Sequence, residues 1–123
     1  MDMKLELIVL PVSDVDRAKA FYAEQLGFEA EHDHRVSAEI RFVQLTPPGS
    51  ACSIAFGNGL TKAAPGSSQG TQMVVEDIHA TRAQLLERGV AVSEVESFAW
   101  GSFVFFSDPD GNGWSVQQLP QRG

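Results

Sequence analysis

Basic residues, cysteine and histidine are all scarce in this chain, and each shortage removes a class of function. Nine Lys and Arg stand against sixteen Asp and Glu in 123 residues, a formal charge of −7 at pH 7. Nucleic acids and anionic membranes attract Lys and Arg, so no nucleic acid and no membrane is expected as a partner. A small organic ligand, cationic or apolar, is compatible with that charge. The single cysteine, Cys52, cannot close an internal disulfide. No apolar run approaches the roughly 20 residues of a membrane span. The first residues, Met1-Asp2-Met3-Lys4, lack the basic-then-apolar pattern of a signal peptide, so a cytoplasmic location is the expectation.

What the chain has is a repeat. Val12-Ser13-Asp14-Val15-Asp16-Arg17-Ala18, leading to Leu26-Gly27-Phe28, is echoed by Val75-Glu76-Asp77-Ile78-His79-Ala80-Thr81, leading to Arg88-Gly89-Val90. Two copies are too few for a solenoid, and two modules that each expose an apolar face can bury it by pairing. The length and 43% hydrophobic content suit a single domain.

The elements follow from local pattern. Leu5 to Pro11 is an apolar run that reads as a strand covered on both faces. Ser13 or Asp14 can cap a helix whose apolar residues Val15, Ala18, Phe21, Tyr22 and Leu26 recur at three- and four-residue spacing, and Gly27 closes it. Phe28 to His34, Ile40 to Leu45 and Ala51 to Phe56 read as three more strands. The order βαβββ recurs in Thr71 to Val75, a helix capped by Asp77 and closed by Gly89, then Val90 to Val95, Ser102 to Ser107 and Trp114 to Leu119. Module one spans about 1–56 and module two about 71–123. The Gly-, Ser- and Pro-rich segment 57–70 joins them as a linker or a lid.

Several of these residues together carry a family resemblance. Leu10-Pro11-Val12-Ser13-Asp14, Ala20-Phe21-Tyr22, Leu26-Gly27-Phe28, Val75-Glu76-Asp77 and Phe106-Ser107-Asp108-Pro109-Asp110-Gly111-Asn112 resemble the vicinal oxygen chelate superfamily of glyoxalases, bleomycin-resistance proteins, fosfomycin-resistance enzymes and extradiol dioxygenases. The resemblance implies an α+β fold in which two tandem βαβββ modules pair into an open, curved eight-stranded cup, often in a homodimer. In the family's enzymes it also implies a divalent metal held on the first, fourth, fifth and eighth strands.

This chain lacks the side chains for that metal at the expected places. The positions that resemblance marks for ligands fall on Leu7, on Gly70 at the same repeat offset, and on Ser115. Zinc needs three or four N, S or O ligands, and non-haem iron typically two His and a carboxylate. No metal and no cofactor is therefore expected. His32 and His34 share one face of a strand near its end, where a surface metal site is conceivable and a solvated strand end is the plainer reading. His79 falls in the first turn of a helix and points to solvent. Cys52 reads as a buried, inert thiol.

If Leu7 and Ser115 face the cup, alternation also brings in Val9, Gln72, Val74 and Gln117. Phe42, Phe56, Phe98, Trp100, Phe103 and Trp114 are the aromatic candidates, most of them expected in the core, with Trp100 in a connection where its ring could form a rim or anchor a dimer. Such a lining, apolar with a few amides and a hydroxyl, suits an uncharged or weakly polar organic molecule. Three functions are open: sequestration of a small molecule without a metal, which the missing ligands favour; a metal-dependent glyoxalase or dioxygenase; and a metal-free enzyme using Gln72 or Gln117 as hydrogen-bond donor.

Overall fold

Each module starts with the helix cap that its aspartate promises. In the computed structural model, which describes residues 1–121, Asp14 accepts from the Arg17 amide at 3.0 Å and Asp77 from the Ala80 amide at 3.0 Å. Each carboxylate satisfies a backbone N–H that the first helical turn leaves unpaired. The helices they open are α1 (Val15–Ala20) and α2 (Ile78–Glu87). Gly27 and Gly89, at φ of 76° and 81°, turn the chain out of them in a conformation that favours glycine. Residues 122–123, the end of the expected second module, lie outside the described residues.

α1 does not continue as a regular helix to Gly27. Phe21–Gln25 is π-helical, with the Leu26 amide donating to the Phe21 carbonyl at 3.1 Å. The wider turn lets the consecutive residues Phe21 and Tyr22 both point inward, 5% and 0% exposed.

Eight strands form two separate four-stranded sheets. The first holds β1 (Leu7–Val9), β4 (Ser53–Asn58), β3 (Arg41–Thr46) and β2 (Glu29–Arg35), in that spatial order. The second holds β5 (Thr71–Val74), β8 (Gly113–Gln118), β7 (Gly101–Ser107) and β6 (Glu96–Phe98). β1 runs parallel to β4 and β5 parallel to β8; the other pairs are antiparallel. The α+β class and the paired βαβββ order are as expected, and the sheets are open. One strand is misplaced by the sequence reading: Val90 to Val95 is not a strand, and β6 follows it. Ser93 breaks the ladder there, because its hydroxyl rather than its carbonyl accepts from the Phe105 amide at 2.9 Å, while Arg82 takes the Ser93 carbonyl at 2.8 Å. The three valines pack as a loop against the core, which is why their alternation looked like a strand.

One core joins the modules. It takes Leu10, Val43, Leu45, Ile54 and Phe56 from module one and Val104, Phe106, Trp114 and Val116 from module two, with Phe21 and Tyr22 of the first helix between them. The Tyr22 ring lies 5.8 Å from Trp114 and the Phe21 ring 6.3 Å from Phe106. Both sheets thus turn one face toward this shared interior. By alternation, the opposite face of each sheet looks away from it.

The residues behind the family resemblance meet at the joint. The Tyr22 hydroxyl donates to Asp108 at 2.8 Å and accepts from the Trp114 indole at 2.9 Å. Asn112 donates to Asp108 and to the Pro11 carbonyl, both at 2.8 Å, and accepts from the Ser68 amide. Ser13 donates to Asp110 through both its amide and its hydroxyl. Burial and the neighbouring Asp108 carboxylate push the Tyr22 phenol far above its ordinary range, so it is a fixed donor. The segment 57–70 is pinned here as well, with Gly66 donating to Pro11 and Gly113 to Ser68.

Candidate functional site

The register of the strands decides which residues share the outward faces. In the second sheet, Gln72 pairs with Ser115, Val74 with Gln117, Gln117 with Phe103 and Ser115 with Phe105. Phe98 pairs with Gly101 and Glu96 with Phe103, which places all eight non-glycine side chains on one face. In the first sheet, the equivalent face carries Leu7 and Val9 from β1, Phe42 and Gln44 from β3, Ser53 and Ala55 from β4, and Glu29, His32 and His34 from β2.

The face of the second sheet has two layers of order. Its polar part is a directed chain of hydrogen bonds. Ser115 donates to the Gln72 amide oxygen at 2.9 Å, Gln72 donates to Gln117 at 2.8 Å, and Gln117 donates to the Trp100 carbonyl at 2.8 Å. A backbone carbonyl can only accept, so it fixes the orientation of the Gln117 amide and, through it, that of Gln72. Each amide keeps one N–H free to face a ligand. Gly101 makes this possible: its φ is 140°, and a Cβ there would fall 2.6 Å from the Gln118 carbonyl and 3.0 Å from the Gln117 nitrogen.

The second layer is aromatic. Trp100 and Phe98 stack at 5.0 Å with their planes 7° apart, Phe98 meets Phe103 edge-on at 6.0 Å, and Phe103 stacks on Phe105 at 6.2 Å. Trp100 is 62% exposed, Phe98 47% and Phe105 43%. Water meets several large rings side by side on a sheet whose other face packs Val104, Phe106, Trp114 and Val116 into the core. Contiguous exposed apolar surface of this kind marks an interaction site.

Of the eight residues singled out in the sequence, the structure brings Gln72, Val74, Trp100, Ser115 and Gln117 together on the second sheet. Leu7, Val9 and Phe42 lie together on the first sheet, on the far side of the shared core. Within one chain the two groups do not meet. Sequence reasoning named Phe98 among its aromatic candidates but missed Phe105 as an exposed member of the row, though the alternation of Phe103-Val104-Phe105 carries that signal. His32 and His34 lie exposed toward the end of β2, as expected, beside Gln44 and Phe42, their rings 5.5 Å apart. Cys52 is half-buried in the turn before β4 rather than buried in a strand, and His79 is exposed as expected.

The repeat offset changes along the chain. Leu7 stands against Ser53 as Gln72 stands against Ser115, and the Leu10 and Val75 amides donate to Ala55 and Gln117 in the same way. Gln72, not Gly70, is therefore the counterpart of Leu7, because the connection from β5 to Asp77 is two residues shorter than that from β1 to Asp14. At the four equivalent positions the chain offers an alkyl group, two hydroxyls and an amide. That set does not fit a divalent cation. Among the described residues no three His, Cys, Asp or Glu side chains converge.

A groove of about 410 Å³ runs along the free edge of β5, between it, α2 and the turn at Pro47. Gln72 and Val74 line it together with Leu26, Phe28, Leu85 and Arg88, so it adjoins the outward face of the second sheet. No helix among the described residues is long and apolar enough to cross a membrane.

Comparison with known proteins agrees with this architecture. TnmS3, described as an antibiotic binding protein from Streptomyces sp. CB03234, has a similar structure, with a TM-score of 0.88 and 35% identity over 97% of this chain and 98% of that one. A glyoxalase/bleomycin resistance protein from the same organism has a TM-score of 0.82 and 36% identity over 94% of this chain and all of that one. The uncharacterized protein YetH of Bacillus subtilis (strain 168) is 30% identical over 117 residues, covering 91% of this chain and 95% of that one. The sequence model of the Glyoxalase/Bleomycin resistance protein/Dioxygenase superfamily matches residues 4–116, and the chain belongs to that superfamily.

Proposed function

We propose that this protein binds and sequesters a small, planar organic molecule, with the ring of Trp100 and the amides of Gln72 and Gln117 as its principal contacts. The observation that carries the proposal is the amide chain anchored on the Trp100 carbonyl beneath an exposed aromatic row. Flat rings offer stacking area, and amides held in one orientation can select a ligand with acceptor oxygens. The relay contains no imidazole or carboxylate and ends on a backbone carbonyl, so it holds a ligand rather than moving a proton. The likeness to an antibiotic binding protein supports the same reading.

A second copy of the chain completes the site. Ligand pockets bury most of a ligand's surface, which one open face does not do. The first sheet, whose outward face carries Leu7, Val9 and Phe42, has the strand order of the second, and β1 and β5 are each left as a free edge. A homodimer that sets the first sheet of one copy against the second sheet of the other brings all eight residues around one hollow. A cytoplasmic protein that removes a small toxic molecule from solution fits this arrangement.

The test is a fluorescence titration with a panel of planar antibiotics, run on the protein and on Trp100→Ala. At least one compound should bind saturably, and the variant should bind it about tenfold more weakly, the size of one lost aromatic contact. Unchanged affinity in Trp100→Ala would place binding elsewhere.

A further inference from the structure

We propose a second binding site, for a small amphipathic organic acid, in the groove between the two modules. The hydrocarbon body lies against Leu26, Phe28, Met73 and Leu85, and Arg88 holds the carboxylate. The groove borders the Trp100 face along β5 but uses none of its rings.

The groove is a seam between the modules. Module one supplies Leu26 and Phe28, which follow its helix, and the turn from Pro47 to Ser50; module two supplies β5 and one stripe of α2. Its volume of about 410 Å³ lies within the range of small-molecule pockets. Thr81, Gln84, Leu85 and Arg88 stand three and four residues apart on α2, so all four share the side that meets the groove. Leu85 is buried at its base. The other three bring a hydroxyl, an amide and a guanidinium to its margin.

Those donors are not used by the fold. Among the described residues, the side chains of Thr81, Gln84 and Arg88 make no hydrogen bond and no ion pair. The last carbonyls of α2 do not call on the guanidinium either, because the amides of Arg88, Gly89 and Val90 donate to Gln84, Leu86 and Leu85. Arg88 is nevertheless held in place. Gln25 donates to its carbonyl at 3.1 Å, and its Nη1 stands 2.7 Å from where a Cβ on Gly27 would lie, an approach that glycine permits.

The charge of this margin opposes that of the whole molecule. The chain carries a formal −7, and carboxylates engage Arg17, Lys19 and Arg41. Arg88 instead stays open beside an apolar wall, where its planar fork can meet a carboxylate with two parallel N–H donors. Burial of the hydrocarbon supplies affinity, and the guanidinium sets which end of the ligand points out. From Thr81 to Arg88 the helix rises about 10 Å, room for a medium-length acyl chain.

Three probes with one hydrocarbon chain test the site: octanoate, octanol and octylammonium. Each is titrated by proton–nitrogen NMR into the protein and into Arg88→Met, which keeps an apolar stem and removes the charge, with circular dichroism to confirm that the variant is folded. Octanoate should bind saturably, shift the Gln84 side-chain amide and leave the Trp100 indole in place. It should bind more tightly than octylammonium, against the order that an acidic surface imposes on non-specific binding. Arg88→Met should weaken octanoate about tenfold, the size of one charge-assisted hydrogen bond, and leave octanol unchanged. Trp100→Ala should leave octanoate unaffected. No saturable octanoate binding, equal or tighter binding of octylammonium, unchanged octanoate affinity in Arg88→Met, or a loss in Trp100→Ala overturns the inference. The planar-ligand reading stands or falls separately, on its own titration with Trp100→Ala.

Discussion

The residues that make the chain recognisable as a family member are not the residues positioned to meet a ligand. Tyr22, Asp108, Asn112 and Trp114 are buried in one hydrogen-bonded cluster, with Tyr22 and Asn112 fully so. Their work is to lock the modules together in a medium where an unpaired polar group is costly. Tyr22→Phe removes one hydroxyl and leaves the Trp114 indole without its acceptor and Asp108 with one donor fewer. We expect a loss of about 1–3 kcal/mol, measured by urea denaturation, with ligand affinity unchanged. A loss of affinity at unaltered stability would mean that the tyrosine reaches the site. The site itself was legible at Gln72, Val74, Ser115 and Gln117, because strand alternation assigns a face without any knowledge of the tertiary structure. Phe105 was harder, since a phenylalanine on a strand looks the same in sequence whether it packs inward or outward.

At the level of elements, polar side chains join the helix to strands that backbone pairing does not reach. Asp33 of β2 engages Lys19 of α1, and Arg41 of β3 engages both Asp33 and Asp16 of α1. The hydrogen bonds from Arg41, then those from Lys19, hold the Asp33 carboxyl well below the usual carboxylate range, and Asp33 in turn raises Arg41. A depressed carboxyl stabilises the fold above its unfolded-state pKa, about 4, and that contribution is lost as the pH falls through the lower folded-state value. Asp33→Asn should therefore reduce stability near neutral pH by no more than about 1 kcal/mol, as expected for a solvent-screened network. The difference from the unsubstituted protein should vanish in strong acid; a difference that persists there would mean the loss is not electrostatic. Caps and glycines located both helices in the sequence because they act within one turn. The π-helical stretch and the loop at Val90 to Val95 were not visible, since both are set by contacts with distant strands.

In the whole molecule, duplication produced two sheets that bury their helix-bearing faces in one core and leave their other faces outward. The sequence identified the two modules and the parity of each strand. It could not show that the candidate residues divide between opposite sides of the chain, because alternation is blind to how sheets pack against each other. In the proposed reading, small molecules bind on the second sheet, where Trp100 stacks on Phe98 and the amides are fixed behind them, and this would account for the large rings exposed there. The most direct measurement is a proton–nitrogen NMR titration with a planar ligand, which resolves the two indole signals and the glutamine amides. The account predicts that the Trp100 indole and the Gln72 and Gln117 side-chain amides shift saturably while the buried Trp114 indole stays in place. Saturable binding that leaves the Trp100 and Gln117 signals unmoved and instead perturbs the groove around Pro47 and Arg88 would contradict it.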